Sequence, residues 1–260
     1  MVALSALNVT GTQLEKVQKR ISTGLGVADA IDNGAVFAIS QNLRSDIGAI
    51  AAVNGQLGAA KGLLSVASAA GTGVSNTLVD VRSVLVQLAD GNVTGNARTQ
   101  LNAQYATLKS AVNNYISGAS YNGANLLSAN SGNRSVIQDI SANQYLLAAQ
   151  DLNTAVTSAL TAVSDSTGAA ALLTGSFVSA QNFVGTALNS IAANTRFLDN
   201  QITFNGAFSD ATSTGLGALV DADLAKESAR LQSLQIKQQL GTQALGIANQ
   251  SPQTLLGLFR

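Results

Sequence analysis

Two closely spaced carboxylate pairs, Asp29 with Asp32 and Asp221 with Asp223, are the residues of this protein best suited to proton transfer or to holding a hard cation. Three glycine doublets, Gly24-Leu25-Gly26, Gly71-Thr72-Gly73 and Gly215-Leu216-Gly217, begin like a phosphate-cradling loop. None has the third glycine or follows a credible parallel strand. His and Cys are both absent, so the protein cannot build a His or thiolate metal site, a Cys nucleophile or a Ser-His-Asp triad. Each Asp pair stands at the head of a stretch with helical periodicity, where carboxylates complement the helix dipole. The expectation is therefore helix capping, with no catalytic residue, no metal site and no cofactor.

The elements that position these groups are written in the apolar spacing. Positions seven apart read Val36, Leu43, Ile50, Leu57, Leu64, Gly71, Leu78 and Leu85, and a second register reads Ile39, Asp46, Val53, Ala60, Ala67, Val74, Val81 and Leu88. Only Asp46 and Gly71 interrupt this seam, which predicts one long amphipathic helix on the order of 80 Å. Asp90-Gly91-Asn92 predicts its end, with Gly91 in the left-handed conformation. A second helix is expected after a cap at Asn96, running to about Gly118, and a short connection makes the two antiparallel. Tyr121-Asn122-Gly123 signals a tight turn. From there to about Gly175 the Ser/Asn/Thr-rich sequence predicts a small module with hairpin strands near 135–137 and 145–147 and a short helix near 152–163.

Helical spacing resumes with Phe177, Val184, Leu188, Ile191, Leu198 and Ile202, predicting a third long helix that ends near Phe208 before a Ser/Thr/Gly loop over 209–217. A terminal helix follows from Leu224 to Pro252. The first thirty residues carry a matching stripe of Leu4, Leu7, Leu14, Val17 and Ile21. Both ends are thus amphipathic helices with more apolar surface than one copy can bury. The fold class expected is mainly α: an elongated antiparallel long-helix rod, coiled-coil-like, with a small β-hairpin-containing outer module.

Composition narrows the partners. Charged residues make up 11% of the sequence, with 14 basic against 14 acidic and no basic block, so nothing resembles a nucleic-acid footprint. No run of about 20 apolar residues occurs, which argues against membrane insertion. Trp is absent and the apolar 46% is mostly aliphatic.

Three separated motifs then carry a resemblance. Val17-Gln18-Lys19-Arg20-Ile21-Ser22-Thr23-Gly24-Leu25 with Ala28-Asp29-Ala30-Ile31-Asp32-Asn33-Gly34-Ala35, Ser120-Tyr121-Asn122-Gly123-Ala124-Asn125-Leu126-Leu127, and Gln235 to Leu245 with Ala248 to Arg260 together resemble a bacterial flagellin of the short alphaproteobacterial type. The resemblance implies a secreted, non-enzymatic subunit that self-assembles into the extracellular flagellar filament. Residues 1–33 and 219–260 would be its core helices, 34–118 and 176–218 its helical rod, and 119–175 its outer, surface-exposed module. Self-association is expected through Leu14, Val17, Ile21, Leu231, Leu234, Leu240 and Ile247. Rod packing is expected through Leu43, Ile50, Leu57 and Leu64 against Leu188, Ile191 and Leu198.

The implied partners are a homo-polymer, the flagellar export apparatus, an export chaperone, and filament-cap and hook-junction proteins, with glycan binding by the outer module a further option. Other readings are a hook-filament junction protein or a surface-displayed flagellin-like adhesin. Flagellins usually carry a dozen or more residues before the segment matching Leu7, so the sequence is expected to begin late. Asp80 and Gln104 replace a basic and an acidic residue in the stretch an innate Toll-like receptor reads in other flagellins. Weak activation of receptor-bearing cells is therefore expected, and strong activation would contradict it.

Overall fold

The computed structural model describes residues 2–128 and 132–258, with side-chain surroundings for 4–128 and 132–247. Among them are six α-helices and one small sheet: α1 (Val2–Thr23), α2 (Ala30–Ala89), α3 (Gly95–Gly118), strands β1 (Arg134–Ile137) and β2 (Gln144–Leu147), a π-helical turn (Asn153–Thr157), α4 (Ser166–Thr174), α5 (Ser176–Val220) and α6 (Leu224–Leu258). The mainly helical class with one β-hairpin is as the residue spacing requires. Two compact units are present, one made of residues 1–48 with 209–260, the other of residues 49–208.

In the 49–208 unit the seam of α2 is filled without a gap. All twelve seam positions from Ile50 to Leu88 are buried, and Leu57, Leu64, Ala67, Val74, Val81, Leu85 and Leu88 are completely so. Gly71 belongs among them because Leu188 of α5 lies directly over it, with Cδ2 only 2.9 Å from where a Cβ would stand. Two positions on, the ring of Tyr115 from α3 lies the same 2.9 Å from the Cβ position of Gly73. Rising positions on α2 meet falling positions on α5: Asn54 with Asn205, Lys61 with Asp199, Gly71 with Leu188. The same holds for α3, where Gly73 meets Tyr115 and Leu88 meets Arg98. Both helices therefore run antiparallel to α2.

The hairpin closes over this bundle. β1 and β2 pair antiparallel with Ser135 opposite Leu146, and alternation turns Tyr145 and Leu147 inward while Gln144 and Leu146 stay exposed. Tyr145 stacks on Phe197 at 3.9 Å between ring centroids and donates its hydroxyl to Asn194 Oδ1 at 2.8 Å. At the tip, Asp139 Oδ1 accepts the backbone N–H groups of Ser141 and Asn143. Gln138 O accepts from Gln201 Nε2 and Asn205 Nδ2, both at 3.1 Å. The Tyr121–Ala124 turn is of the mirror-image hairpin type, with Asn122 and Gly123 both left-handed at φ 47° and 74°.

Several boundaries differ from the expectation. Gly91 is not left-handed: Asp90 caps its own turn by accepting the N–H of Asn92, and Arg98 ties off the end of α2 by donating to Leu88 O and Val93 O. Helix α3 starts at Gly95 behind Thr94, so Asn96 lies inside its first turn. Helix α5 does not stop at Phe208 but absorbs the expected 209–217 loop and reaches Val220. There Thr214 Oγ1 returns its hydroxyl to Asp210 O at 2.9 Å, a bond a threonine makes without leaving the helix. Helix α6 runs through Pro252 to Leu258, since one proline removes one ladder bond and need not end a helix. The helix expected near 152–163 is a π-helical turn, and α4, capped by Asp165 Oδ1 accepting from Gly168 N at 2.7 Å, follows it. Phe259 and Arg260 of the terminal motif lie outside the described residues.

Candidate functional site

The other unit pairs the two ends of the protein. Helices α1 and α6 pack together in antiparallel sense: Arg20, near the end of α1, meets Glu227 in the first turn of α6, and Leu7 meets Gly241 about four turns away. On α1 the inward stripe holds Leu14, Val17 and Ile21, with Val17 2% exposed and its neighbours half-buried. On α6 the matching seam follows heptad spacing through Glu227, Leu231, Leu234, Gly241 and Leu245. Leu234 is 3% exposed, and Gly241 lets Leu7 approach to 3.2 Å of its Cβ position.

The end of this pair near the connectors is locked by charge and backbone. Arg20 Nη1 donates to Glu227 Oε1 at 3.0 Å, and the two side chains are only 23% and 10% exposed. The connectors, 24–29 and 221–223, lie side by side: Ala222 N–H donates to Gly24 O at 2.9 Å and Gly26 N–H to Val220 O at 2.6 Å. Gly24 is left-handed at φ 71°, and a side chain at Gly26 would press on Asp221 O at 3.3 Å. The glycine doublet that mimics a nucleotide loop is thus a backbone clasp. The doublet at 71–73 makes room for Leu188 and Tyr115, and that at 215–217 lies in the last turns of α5.

One carboxylate of each pair caps a helix. Asp29 Oδ1 accepts the N–H groups of Ile31 and Asp32, and Asp223 Oδ1 accepts that of Lys226. Lys19 bridges Asp29 and Asp32, and Lys16 reaches Asp32 at 3.5 Å. The hydrogen bond from Lys19 holds Asp29 below the usual carboxylate range. Burial pushes Asp32 up, but the Ala28 N–H and the two lysines outweigh it and the net shift is downward. Lys19 in turn is raised by its bond to Asp29.

Helix α6 carries a second apolar stripe that α1 leaves open. Ile236, Leu240 and Ile247 recur at the heptad positions opposite the seam and are 57%, 59% and 71% exposed. Of the expected association residues, Leu14, Val17, Ile21, Leu231 and Leu234 meet inside the α1–α6 pair, whereas Leu240 and Ile247 lie on this open stripe. Ile236 stands outside the expected set, although its i, i+4 and i+11 relation to Leu240 and Ile247 is legible in the spacing. On α1, Leu4 and Val9 are likewise more than half exposed. Of the rod residues, Ile50, Leu57, Leu64, Ile191 and Leu198 are buried and Leu188 half-buried in the 49–208 unit. Leu43, in the terminal unit, is half-buried, and Ile39 beside it is 50% exposed.

A long-helix protein with helix-capping carboxylates, a filled internal seam and an open apolar stripe at its joined ends belongs to the class of helical structural subunits. Family models described as the bacterial flagellin N-terminal and C-terminal helical regions match residues 1–132 and 177–259. Relatives include flagellins FljM and FljO of Caulobacter vibrioides, 36% and 35% identical, and a flagellin of Brucella melitensis, 34% identical, with all of this chain and 96% of each relative aligned. A solved Vibrio parahaemolyticus protein with a provisional flagellar hook-associated assignment shares the fold, with TM-score 0.61 and 15% identity over 73% of this chain and all of that one. The chain belongs to the bacterial flagellin family, whose members build the extracellular flagellar filament, and it is a structural subunit of that kind.

Proposed function

We propose that this flagellin joins its siblings through the open stripe of α6, Ile236, Leu240 and Ile247, supplemented by Leu4 and Val9 of α1. The observation that carries this reading is that α1 fills one seam of α6 while three large aliphatic residues on the other side remain in water. Ordering the termini costs about 1–2 kcal/mol per residue. The α1–α6 pair meets part of that cost inside one copy, leaving the second stripe free to drive association. A patch that meets a different surface on the next copy generates an open helix rather than a closed ring. Leu14, Val17, Ile21, Leu231 and Leu234 then act indirectly, by holding α6 in a single orientation.

In this reading residues 1–33 and 219–260 form the filament core, 34–118 and 176–218 the rod, and 119–175 the module turned outward. The export apparatus, an export chaperone and a filament cap are partners within this same proposal, by analogy with the flagellin resemblance. A hook-junction role is the second reading, since the solved neighbour in fold carries a hook-associated assignment; full-length similarity to filament flagellins favours the first. Negative-stain microscopy of the purified protein, grown from seeds, tests the choice. Long filaments are expected, and short caps that never elongate would favour the junction role. Leu146→Glu, at an exposed position of β2, should spare filament growth if that module faces outward.

A further inference from the structure

An Asn-Gly pair exposes the side-chain amide to attack by the next backbone nitrogen, because glycine has no Cβ to hinder the approach. This protein has four such pairs, Asn33-Gly34, Asn54-Gly55, Asn122-Gly123 and Asn205-Gly206, and the fold divides them two and two. Asn54 and Asn205 lie deep within α2 and α5, where the following N–H is tied into the i to i−4 ladder. Their side chains are also engaged: Asn205 Nδ2 donates to Asn54 Oδ1 and Gln201 Nε2 to Asn205 Oδ1, each at 3.1 Å, and Asn205 is 4% exposed.

Asn33 and Asn122 are exposed, and neither has helical backbone angles. Asn33 Oδ1 accepts the Val36 N–H at 3.2 Å at the start of the renewed helix, a single bond made at the surface. Asn33 interrupts α2 with φ −164° and ψ 102°. Gly34 opens the helical run that follows, in the turn whose N–H groups have no intrahelical acceptor. Asn122 is the first left-handed residue of its turn, followed by Gly123 at φ 74°.

We propose that Asn33 and Asn122 are sites of spontaneous deamidation and that Asn54 and Asn205 are protected by the fold. In this step the nitrogen of Gly34 or Gly123 bonds to the asparagine Cγ and loses its proton to solvent base. The bond between Cγ and the amide Nδ2 breaks, and that nitrogen takes a proton and leaves as ammonia. Water then opens the five-membered imide at either carbonyl, giving aspartate or isoaspartate. One water enters, one ammonia leaves and nothing is oxidised or reduced. At position 33 the product adds a third carboxylate beside Asp29 and Asp32. At position 122 isoaspartate inserts a methylene into a two-residue turn and breaks the paired hydrogen bonds of Tyr121 and Ala124, at 2.8 and 3.0 Å.

The test is peptide mass spectrometry on the purified, folded protein aged in mildly alkaline buffer, beside a synthetic peptide spanning each pair. Asn33 and Asn122 should convert on the timescale of their peptides. Asn54 and Asn205 should convert at least ~100-fold more slowly than theirs, since they react only after local opening. Gly34→Ala meets no atom within 4 Å and its glycine is not left-handed, so it should fold normally, suppress conversion at Asn33 and leave Asn122 reacting as before. Conversion of all four pairs at peptide rates would overturn the proposal. Either exposed pair remaining an amide while its peptide reacts would overturn the assignment of that pair.

Discussion

Replacing Leu240 and Ile247 together by Gln separates assembly from folding. Both residues are largely in water in the single subunit, 59% and 71% exposed, so little is lost from the folded state, and Gln keeps helix propensity close to that of Leu. Full burial of a large aliphatic side chain stabilises by about 1.5–3 kcal/mol. Scaling by the exposed fractions leaves about 1–2 kcal/mol for each residue and about 2–4 kcal/mol for the pair to be gained on association. At about 1.4 kcal/mol per tenfold, the critical concentration for seeded growth should rise roughly 30- to 700-fold.

The control is Leu234→Ala. At 3% exposure it should cost about 2–5 kcal/mol of stability in the α1–α6 pair, read as an earlier thermal transition by circular dichroism. Sedimentation of filaments grown from short seeds measures the critical concentration. An unchanged value for the double variant, with normal helix content, would refute the assignment of the open stripe. So would a lowered melting temperature, because it would mean that those side chains are already buried in one copy.

Other consequences follow from the same geometry. Asp29 and Asp32 are both held below their ordinary carboxylate range of 3.8, so the stability they contribute is present above that pH and is lost as pH falls below it. Asp32→Asn should therefore weaken the terminal unit at neutral pH, and thermal melts should show its deficit fading once the wild-type carboxylates are themselves protonated. Tyr105 donates to Thr161 O at 2.9 Å, and burial pushes its phenol up to about 12. Its contribution should persist below pH 10 and fade towards 12 by ultraviolet titration, and Tyr105→Phe should cost about 0.5–1.5 kcal/mol in urea unfolding at neutral pH. Gly73→Ala forces the Tyr115 ring to move and should destabilise by about 1–3 kcal/mol, whereas Gly55→Ala, with open space around it, should stabilise by about 0.4–1 kcal/mol. Equal effects of the two in chemical denaturation would contradict the close approach at Gly73.

Legibility varied with the range of the forces involved. The α2 seam from Ile50 to Leu88 can be traced residue by residue, because a seven-residue repeat has only one face to bury. The Asn122-Gly123 turn is equally clear, since two adjacent left-handed residues favour that dipeptide. Residues 209–217 mislead because Ser, Thr and Gly favour loops, yet α5 continues through them and Thr214 returns its hydroxyl to Asp210 O in the preceding turn. Gly91 misleads for the converse reason: Asp90 and Arg98 close that helix end through side chains, and no left-handed residue is needed. The spacing puts Ile236 on one stripe with Leu240 and Ile247, but α6 is apolar on more than one side, and periodicity cannot say which side a partner takes.

The sequence by itself determined which side-chain chemistries are available and where the long helices lie. The absence of His and Cys removes His and thiolate metal sites, a Cys nucleophile and a Ser-His-Asp triad, and heptad spacing needs no neighbour in order to be counted. Only the tertiary structure decided that Leu231 and Leu234 turn towards α1 while Leu240 and Ile247 turn away. It also decided that two of four identical dipeptides are shielded. Both outcomes depend on which surfaces meet, and contacts between residues some two hundred positions apart, such as Arg20 with Glu227, leave no local trace in the sequence.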